Sequence, residues 1–428
     1  MSRATDHPMS CQPKSLTTIS LARSRQIGHH PPNLQFGPHH APLNTINRLT
    51  PAPQRNPRID LLRGIAILMV MVLHFSDTYQ PWSSGPLHTL LGGAAVFALI
   101  GWSNFGVTMF FVISGYLITS NSLARYGALN RISLRSFYVM RFSRLEPLLL
   151  IALTIIVTLG LTGLAPFKQP NKPLIDVVLG AWSVLTFWHN ILMQRLGYFN
   201  YCLNIYWSLS VEDLFYLIFP LACILLRKTW LIVALCIILI IIGPYYRAHH
   251  LHSDIFYLYA NLACFDAIAI GCLCALLAPH LKLSNRAARA LRIIATLTLI
   301  EVWLNGFGGD RKIYAFTLLA LATAGIILGS LPEPTPRWTR QFPAQPIQWL
   351  GRHSYELYLF HIIILAIMRD IVPAQSMSYW LQLPWLALFL TLSALAAHLT
   401  ARHIGDPANR ALRHHLTPPQ PPRRIGCA

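Results

Sequence analysis

Residues 58–75 read RIDLLRGIAILMVMVLHF. From Ile65 to Leu73 the side chains are unbroken apolar, and the stretch has the length of a membrane span, yet Asp60, Arg63 and His74 interrupt it. Charged or titratable side chains are costly in hydrocarbon, so each needs a reason to be there. Arg63 and His74 are eleven residues apart, about three helical turns, which puts them on one face. Asp60, three residues before Arg63, is placed to pair with it. If the chain enters from the cytoplasm near residue 59, His74 lies about 22 Å up the helix, in the outer half of the bilayer.

The rest of the chain repeats the apolar theme. Of 428 residues, 54% are hydrophobic and 11% are charged, against about 25% charged in soluble domains. Apolar runs of about 20 residues recur, which predicts an all-α, polytopic helix bundle in the membrane rather than a barrel of short alternating strands. About ten spans are predicted, at 59–78, 100–120, 147–165, 205–226, 229–246, 256–278, 290–307, 313–331, 348–369 and 380–401. The segment 175–193, IDVVLGAWSVLTFWHNILM, is apolar enough for another crossing. Its aromatics and glycine read instead as an interfacial or re-entrant piece.

Charge sets the orientation. The net charge is +19. The positive-inside rule explains that excess better than nucleic-acid binding does, so no nucleic-acid partner is expected. With both termini cytoplasmic, the inner loops hold Arg125, Arg131, Arg135, Arg141 and Arg144, then Arg227 and Lys228. Further inner charges are Lys282, Arg286, Arg289 and Arg292, then Arg337, Arg340 and Arg352. Outer loops keep fewer, such as Lys168, Lys172, Arg247 and Arg369. Residues 1–57 are rich in Pro and His and predict a disordered tail, 58–401 the membrane domain, and 402–428 a basic cytoplasmic tail. The eight cysteines show no metal spacing; Cys223, Cys236 and Cys272 read as small buried residues, and no metal is expected.

Other polar groups recur inside apolar runs. In WSLSVEDLFY, Ser208, Glu212 and Tyr216 are spaced i, i+4, i+8 and share a face. Glu212 is about two turns below the outer surface, a depth that suits a carboxylate orienting His74, while Asp213 points elsewhere, toward the aqueous boundary. In RFSRLEP, Arg141 and Arg144 form a cationic fork of phosphate size, or simple topology charge. In FFVISGY, Ser114 and Gly115 allow a close approach by a helix or a ligand chain. Tyr355, Tyr358 and His361 follow one side of SYELYLFH, where His361 reads first as a helix-to-helix hydrogen bond. Asp266 is a buried acid without a partner visible in the sequence.

Taken together these segments resemble the membrane acyltransferase-3 family. DLLRGIAILMVMVLH is similar to its first-helix signature, FFVISGY to its second-helix motif, RFSRLEP to its arginine element, WSLSVEDLFY to its Trp-Ser-Leu motif, and SYELYLFH to its late Tyr-His element. All stand in the family's order, between residues 58 and 361. The resemblance implies a ten-helix bundle that takes an acyl group, acetyl by default, from cytoplasmic acyl-CoA to a hydroxyl of an envelope saccharide or glycolipid in the inner (plasma) membrane. It implies a catalytic role for His74, with Arg63 also needed, and CoA phosphate binding by Arg141 and Arg144. Asp213 departs from the pattern, where the family more often has an uncharged polar residue. No hydrolase-like domain of the kind appended to larger members is read, which leaves a second relay step to a periplasmic partner acyltransferase.

The main competing class is a transporter or flippase, because intramembrane Asp, Glu, His and Arg also build proton relays. The lack of an internal repeat and of matching broken helices argues for the enzyme. In that reading a polyanionic donor meets the arginines from inside, and a hydroxyl arriving from outside gives its proton to His74.

Overall fold

The computed structural model describes residues 56–101, 105–168, 175–305, 311–332, 339 and 341–416. The expected N-terminal tail, Lys172, Arg337, Arg340 and the last residues of the C-terminal tail lie outside them. All regular structure among the described residues is helical. Ten of these helices have 17 residues or more. They are α1 (Pro57–Tyr79), α2 (Phe105–Tyr126), α3 (Leu134–Leu161), α4 (Trp207–Leu226), α5 (Thr229–His249), α6 (Asn261–Leu277), α7 (Asn285–Asn305), α8 (Arg311–Ser330), α9 (Ser354–Ile371) and α10 (Gln382–Thr400).

Local chemistry sets several boundaries. The Asn56 side chain accepts the Arg58 N–H at 3.0 Å and Pro57 takes the first turn, so α1 starts there. Helix α3 continues through Pro147. The expected span from 147 is therefore the second half of one long helix, and Arg141 and Arg144 sit within that helix rather than in a loop.

Among the described residues, eight helical stretches are long and apolar enough to cross a membrane. They include α1–α6, α8 and α10, and they make this a multi-pass membrane protein. Helices α7 and α9 correspond to the other two expected spans, at 21 and 18 residues, but are more charged. Arg286, Arg289, Arg292 and Glu301 lie on α7, and Glu356, Arg369 and Asp370 on α9. The expected span 348–369 is two helices, Ala344–Arg352 and α9, broken at His353. Likewise 175–193 breaks into Ile175–Leu185 and His189–Leu196. At about 1.5 Å per residue neither piece reaches across a ~30 Å hydrocarbon core.

Side-chain contacts fix the relative directions. Along α1 and α9, Arg63 meets Ser354, His74 meets His361 and Tyr79 meets Val372, so the two run parallel. Tyr206 and Ser208 meet Leu359 and Tyr358 in descending order, so α4 runs against α9. Gly243 and Arg247 of α5 approach Asp266 and Ala263 of α6, again antiparallel. Asp266 and Cys274 of α6 meet Thr317 and Ala324 of α8 in ascending order, hence parallel.

Two crossings bring backbones closest together. A Cβ on Gly115 would collide with the Ile268 carbonyl of α6, and one on Gly271 with the Val112 carbonyl of α2. Gly64 and Gly351 play the same part between α1 and the short helix Ala344–Arg352. Asp266 finds its partner in tertiary space: Arg247, expected in an outer loop, is 1% exposed and bonds Asp266 at 2.7 Å and Thr317 at 2.6 Å. Removing one member of such a buried pair typically costs about 3–5 kcal/mol. Cys223, Cys236 and Cys272 are buried free thiols.

Candidate active site

A cavity of about 130 Å³ lies among α1, α2, α3, α4 and α9. Its polar lining comes from Arg63, Ser114, Asn121, Arg141, Arg144, Ser208, Glu212, Asp213, Tyr216, Ser354, Tyr355 and Tyr358. Asn121 and Arg144 are exposed, whereas Ser208 and Tyr358 are buried, so the cavity runs inward from an open rim.

Arg63, from the first turns of α1, donates to Ser354 Oγ at 2.7 Å and ties α1 to the start of α9. Arg141 lies over the Tyr216 ring, 3.7 Å from its centroid. That stacking suits a planar guanidinium more than an ammonium. Glu212 accepts hydrogen bonds from Ser114 and from Tyr216, a contact made by the i, i+4 spacing of Glu212 and Tyr216 on α4. Asp213 is 9% exposed and lies within electrostatic reach of Glu212, Glu146 and Arg141. It lines the cavity rather than facing an aqueous boundary. Tyr355 donates to the Leu145 carbonyl at 2.8 Å, and Tyr358 bonds Ser208 at 2.5 Å and the Ile205 carbonyl at 2.6 Å.

His74, His361, Asp60 and Gly115 are not among the lining residues. His74 faces His361, with ring centroids 5.3 Å apart. His361 is fully buried; its Nδ1–H donates to the Leu357 and Tyr358 carbonyls at 2.9 Å each, and its Nε2 has no hydrogen-bond partner. With Nδ1 as donor, Nε2 presents a lone pair inside the bundle. The Tyr358 ring lies 5.9 Å from that of His361, so the histidine pair begins one turn of α9 beyond the buried end of the cavity. The expected pairing of Glu212 with His74 is therefore replaced by His361 with His74, and Glu212 serves the arginine cavity. Asp60 is 5% exposed, at the level where Gly351 meets its carbonyl. The space expected beside Gly115 is filled by α6, and only Ser114 of that pair faces the cavity.

Spacing alone had brought together Ser208, Glu212 and Tyr216. It missed Ser354, Asn121 and the inward aim of Asp213. Ser354 had a signal, since it precedes Tyr355 in SYELYLFH; Asn121 had only its place one turn after Leu117 on the cavity face of α2.

The acyltransferase domain family matches residues 56–401. The chain belongs to this acyltransferase-3 family. It is 26% identical over 382 residues to the O-acetyltransferase OatA of Staphylococcus aureus, covering 84% of this chain and 58% of that protein. It is 25% identical over 380 residues to the peptidoglycan O-acetyltransferase OatA of Listeria monocytogenes, covering 83% of this chain and 56% of that protein. The chain thus spans somewhat more than half the length of these curated relatives. No solved structure matches it.

Proposed function

We propose that this protein is an O-acyltransferase of the inner membrane that moves an acyl group, acetyl by default, from cytoplasmic acyl-CoA to a hydroxyl of an envelope saccharide or glycolipid. The observation that carries the reading is the path from the Arg141–Arg144 rim, past Arg63 and Ser354, to a buried end one turn from the His74–His361 pair. From Arg63 to His74 the rise is roughly 16 Å along α1, a distance suited to a long flexible thioester arm. Arginine forks bind phosphate oxygens with charge-assisted hydrogen bonds, which holds the polyanionic end at the rim. The names of the relatives point to acetyl as the group and to cell-wall glycan as the acceptor class.

In the reaction the acceptor oxygen attacks the thioester carbonyl, a C–O bond forms, the C–S bond breaks, and the proton of the hydroxyl passes through His74 to the departing CoA thiolate. His74 acts as general base and His361 positions its ring. For Glu212, held by Ser114 and Tyr216, we propose a share in the charge balance around Arg141. For any relay of the acyl group onward, a periplasmic acyltransferase is the partner we propose.

Ten crossings with both termini cytoplasmic accompany this reading. The alternating directions of α1, α4, α5, α6, α8 and α9 support it, because α1 and α9 run parallel only if an even number of crossings separates their starts. Reporter fusions near residues 130, 285 and 340 are expected to report cytoplasm; an outside signal at 285 would reverse the second half of the bundle.

The function is tested with purified protein in lipid nanodiscs, measuring release of CoA from acetyl-CoA in the presence of glycan acceptors. The Arg141→Ala/Arg144→Ala protein is expected to bind acetyl-CoA at least tenfold more weakly, since each lost charge-assisted bond is worth about 1.5–3 kcal/mol. Unchanged donor affinity would return both arginines to a topological role. Absence of any acetyl-CoA turnover or binding by the wild type would favour transport.

A further inference from the structure

The short helix Asp406–Leu416 lies beyond the residues that the family matches. Sequence alone makes it part of a basic tail, but the structure seats it on α3. Ser143 Oγ donates to Asn409 Oδ1 at 3.1 Å, and Arg413 reaches Ser143 Oγ at 3.4 Å and the Met140 carbonyl at 3.5 Å. The anchoring serine is thus the neighbour of Arg144, at the rim of the cavity. Arg144 and Arg125 lie within electrostatic reach of Arg413. Arg125 is exposed and lies one turn after Asn121, itself a rim residue, on the same face of α2. Three separate segments of the chain therefore deliver like charges to one place. Like charges gathered in this way suit a multiply charged anion.

We propose that Arg413, with Arg125 and Arg144, forms an outer phosphate clamp for the nucleotide end of the donor, so that the C-terminal helix is part of the binding site. The inference rests on the acyl-CoA reading above. The thioester end of the donor must reach inward toward the histidine pair, so its other end, which carries the 3′-phosphate, stays at the rim. Arg141, stacked on Tyr216, lies deeper, where the pyrophosphate passes, and Arg413, Arg125 and Arg144 meet the terminal phosphate. Lipid headgroups offer the same phosphate chemistry, and the test separates the two sources.

The experiment titrates full-length wild type, Arg413→Ala, Arg413→Lys and Arg125→Ala in phosphatidylcholine nanodiscs with acetyl-CoA and with 3′-dephospho-acetyl-CoA. Arg413→Ala and Arg125→Ala are expected to weaken acetyl-CoA binding about tenfold, a change of about 1.4 kcal/mol, and to leave 3′-dephospho-acetyl-CoA binding near wild type. Arg413→Lys is expected to recover part of the loss, since it keeps the charge but not the fork. If Arg413→Ala does not fold, the Arg125→Ala and Arg413→Lys titrations carry the test. Wild-type binding of acetyl-CoA with no selective loss in the variants overturns this inference alone. Equal acetyl-CoA affinity combined with weaker retention of Arg413→Ala on vesicles containing phosphatidylglycerol assigns the cluster to lipid and also overturns it. A wild type that binds neither nucleotide overturns the acyl-CoA reading together with this one.

Discussion

His74→Gln protein is expected to insert and purify like wild type and to lose acylation by about 10²–10⁴-fold in kcat, the usual worth of a positioned general base. Glutamine keeps the approximate size and a hydrogen-bonding end but takes no proton at neutral pH. The site of the change is a half-buried ring facing His361, one turn beyond the buried end of the arginine cavity, so donor binding at the rim is expected to stay within a few fold. The split between kcat and donor affinity is the readout. His361→Gln is expected to have a smaller effect, with a displaced pH–rate profile, because its ring, whose Nε2 has no hydrogen-bond partner, lies beside the ring proposed to take the proton. Near wild-type turnover by folded His74→Gln protein would make His74 structural and move the search for the base to His361.

Gly115→Val is expected to remove folded protein altogether. A side chain at Gly115 meets the Ile268 carbonyl, which belongs to the backbone of α6 and has no rotamer to escape into. Overpacking in well-filled cores costs roughly 1–3 kcal/mol even where side chains can give way, and here a whole helix must shift. The loss is measured as the fraction of detergent-solubilised protein that elutes as a single species, and as the temperature at which that species disappears. Gly271→Val is expected to match it from the other side of the crossing. Gly127→Ala is the control: its φ is +77° with nothing near the added atom, so only the cost of a left-handed residue, of order 1 kcal/mol, is expected. Survival of Gly115→Val at wild-type yield would mean that α2 and α6 are not in backbone contact.

Much of this protein was determined by sequence alone. Apolar runs of about 20 residues read as helices in hydrocarbon, because a helix bonds each backbone group within its own segment; that located the ten long helices approximately, although 147–165 proved to be half of one helix and 348–369 two. Periodicity also united Ser208, Glu212 and Tyr216, since neighbours on a helix face are set by 3.6 residues per turn. The family membership followed from short motifs whose polar residues hydrocarbon would otherwise exclude. Tertiary structure alone decided which helix each polar group meets. Asp266 acquired Arg247, Glu212 acquired Ser114, and His74 acquired His361 in place of Glu212. Depth estimates along separate helices could not do this, because two groups at one level make contact only if rotation about both axes brings them together. That rotation is set by where backbones pack closest, at Gly64 and Gly351 and at Gly115 and Gly271. A glycine in an apolar run marks a possible approach, and only the assembled bundle shows that its partner at Gly115 is a helix and not a ligand. The docking of Asp406–Leu416 beside Arg144 is of the same kind, because a polar amphipathic segment carries no hydrocarbon constraint and its place depends on Ser143 and Met140 of α3.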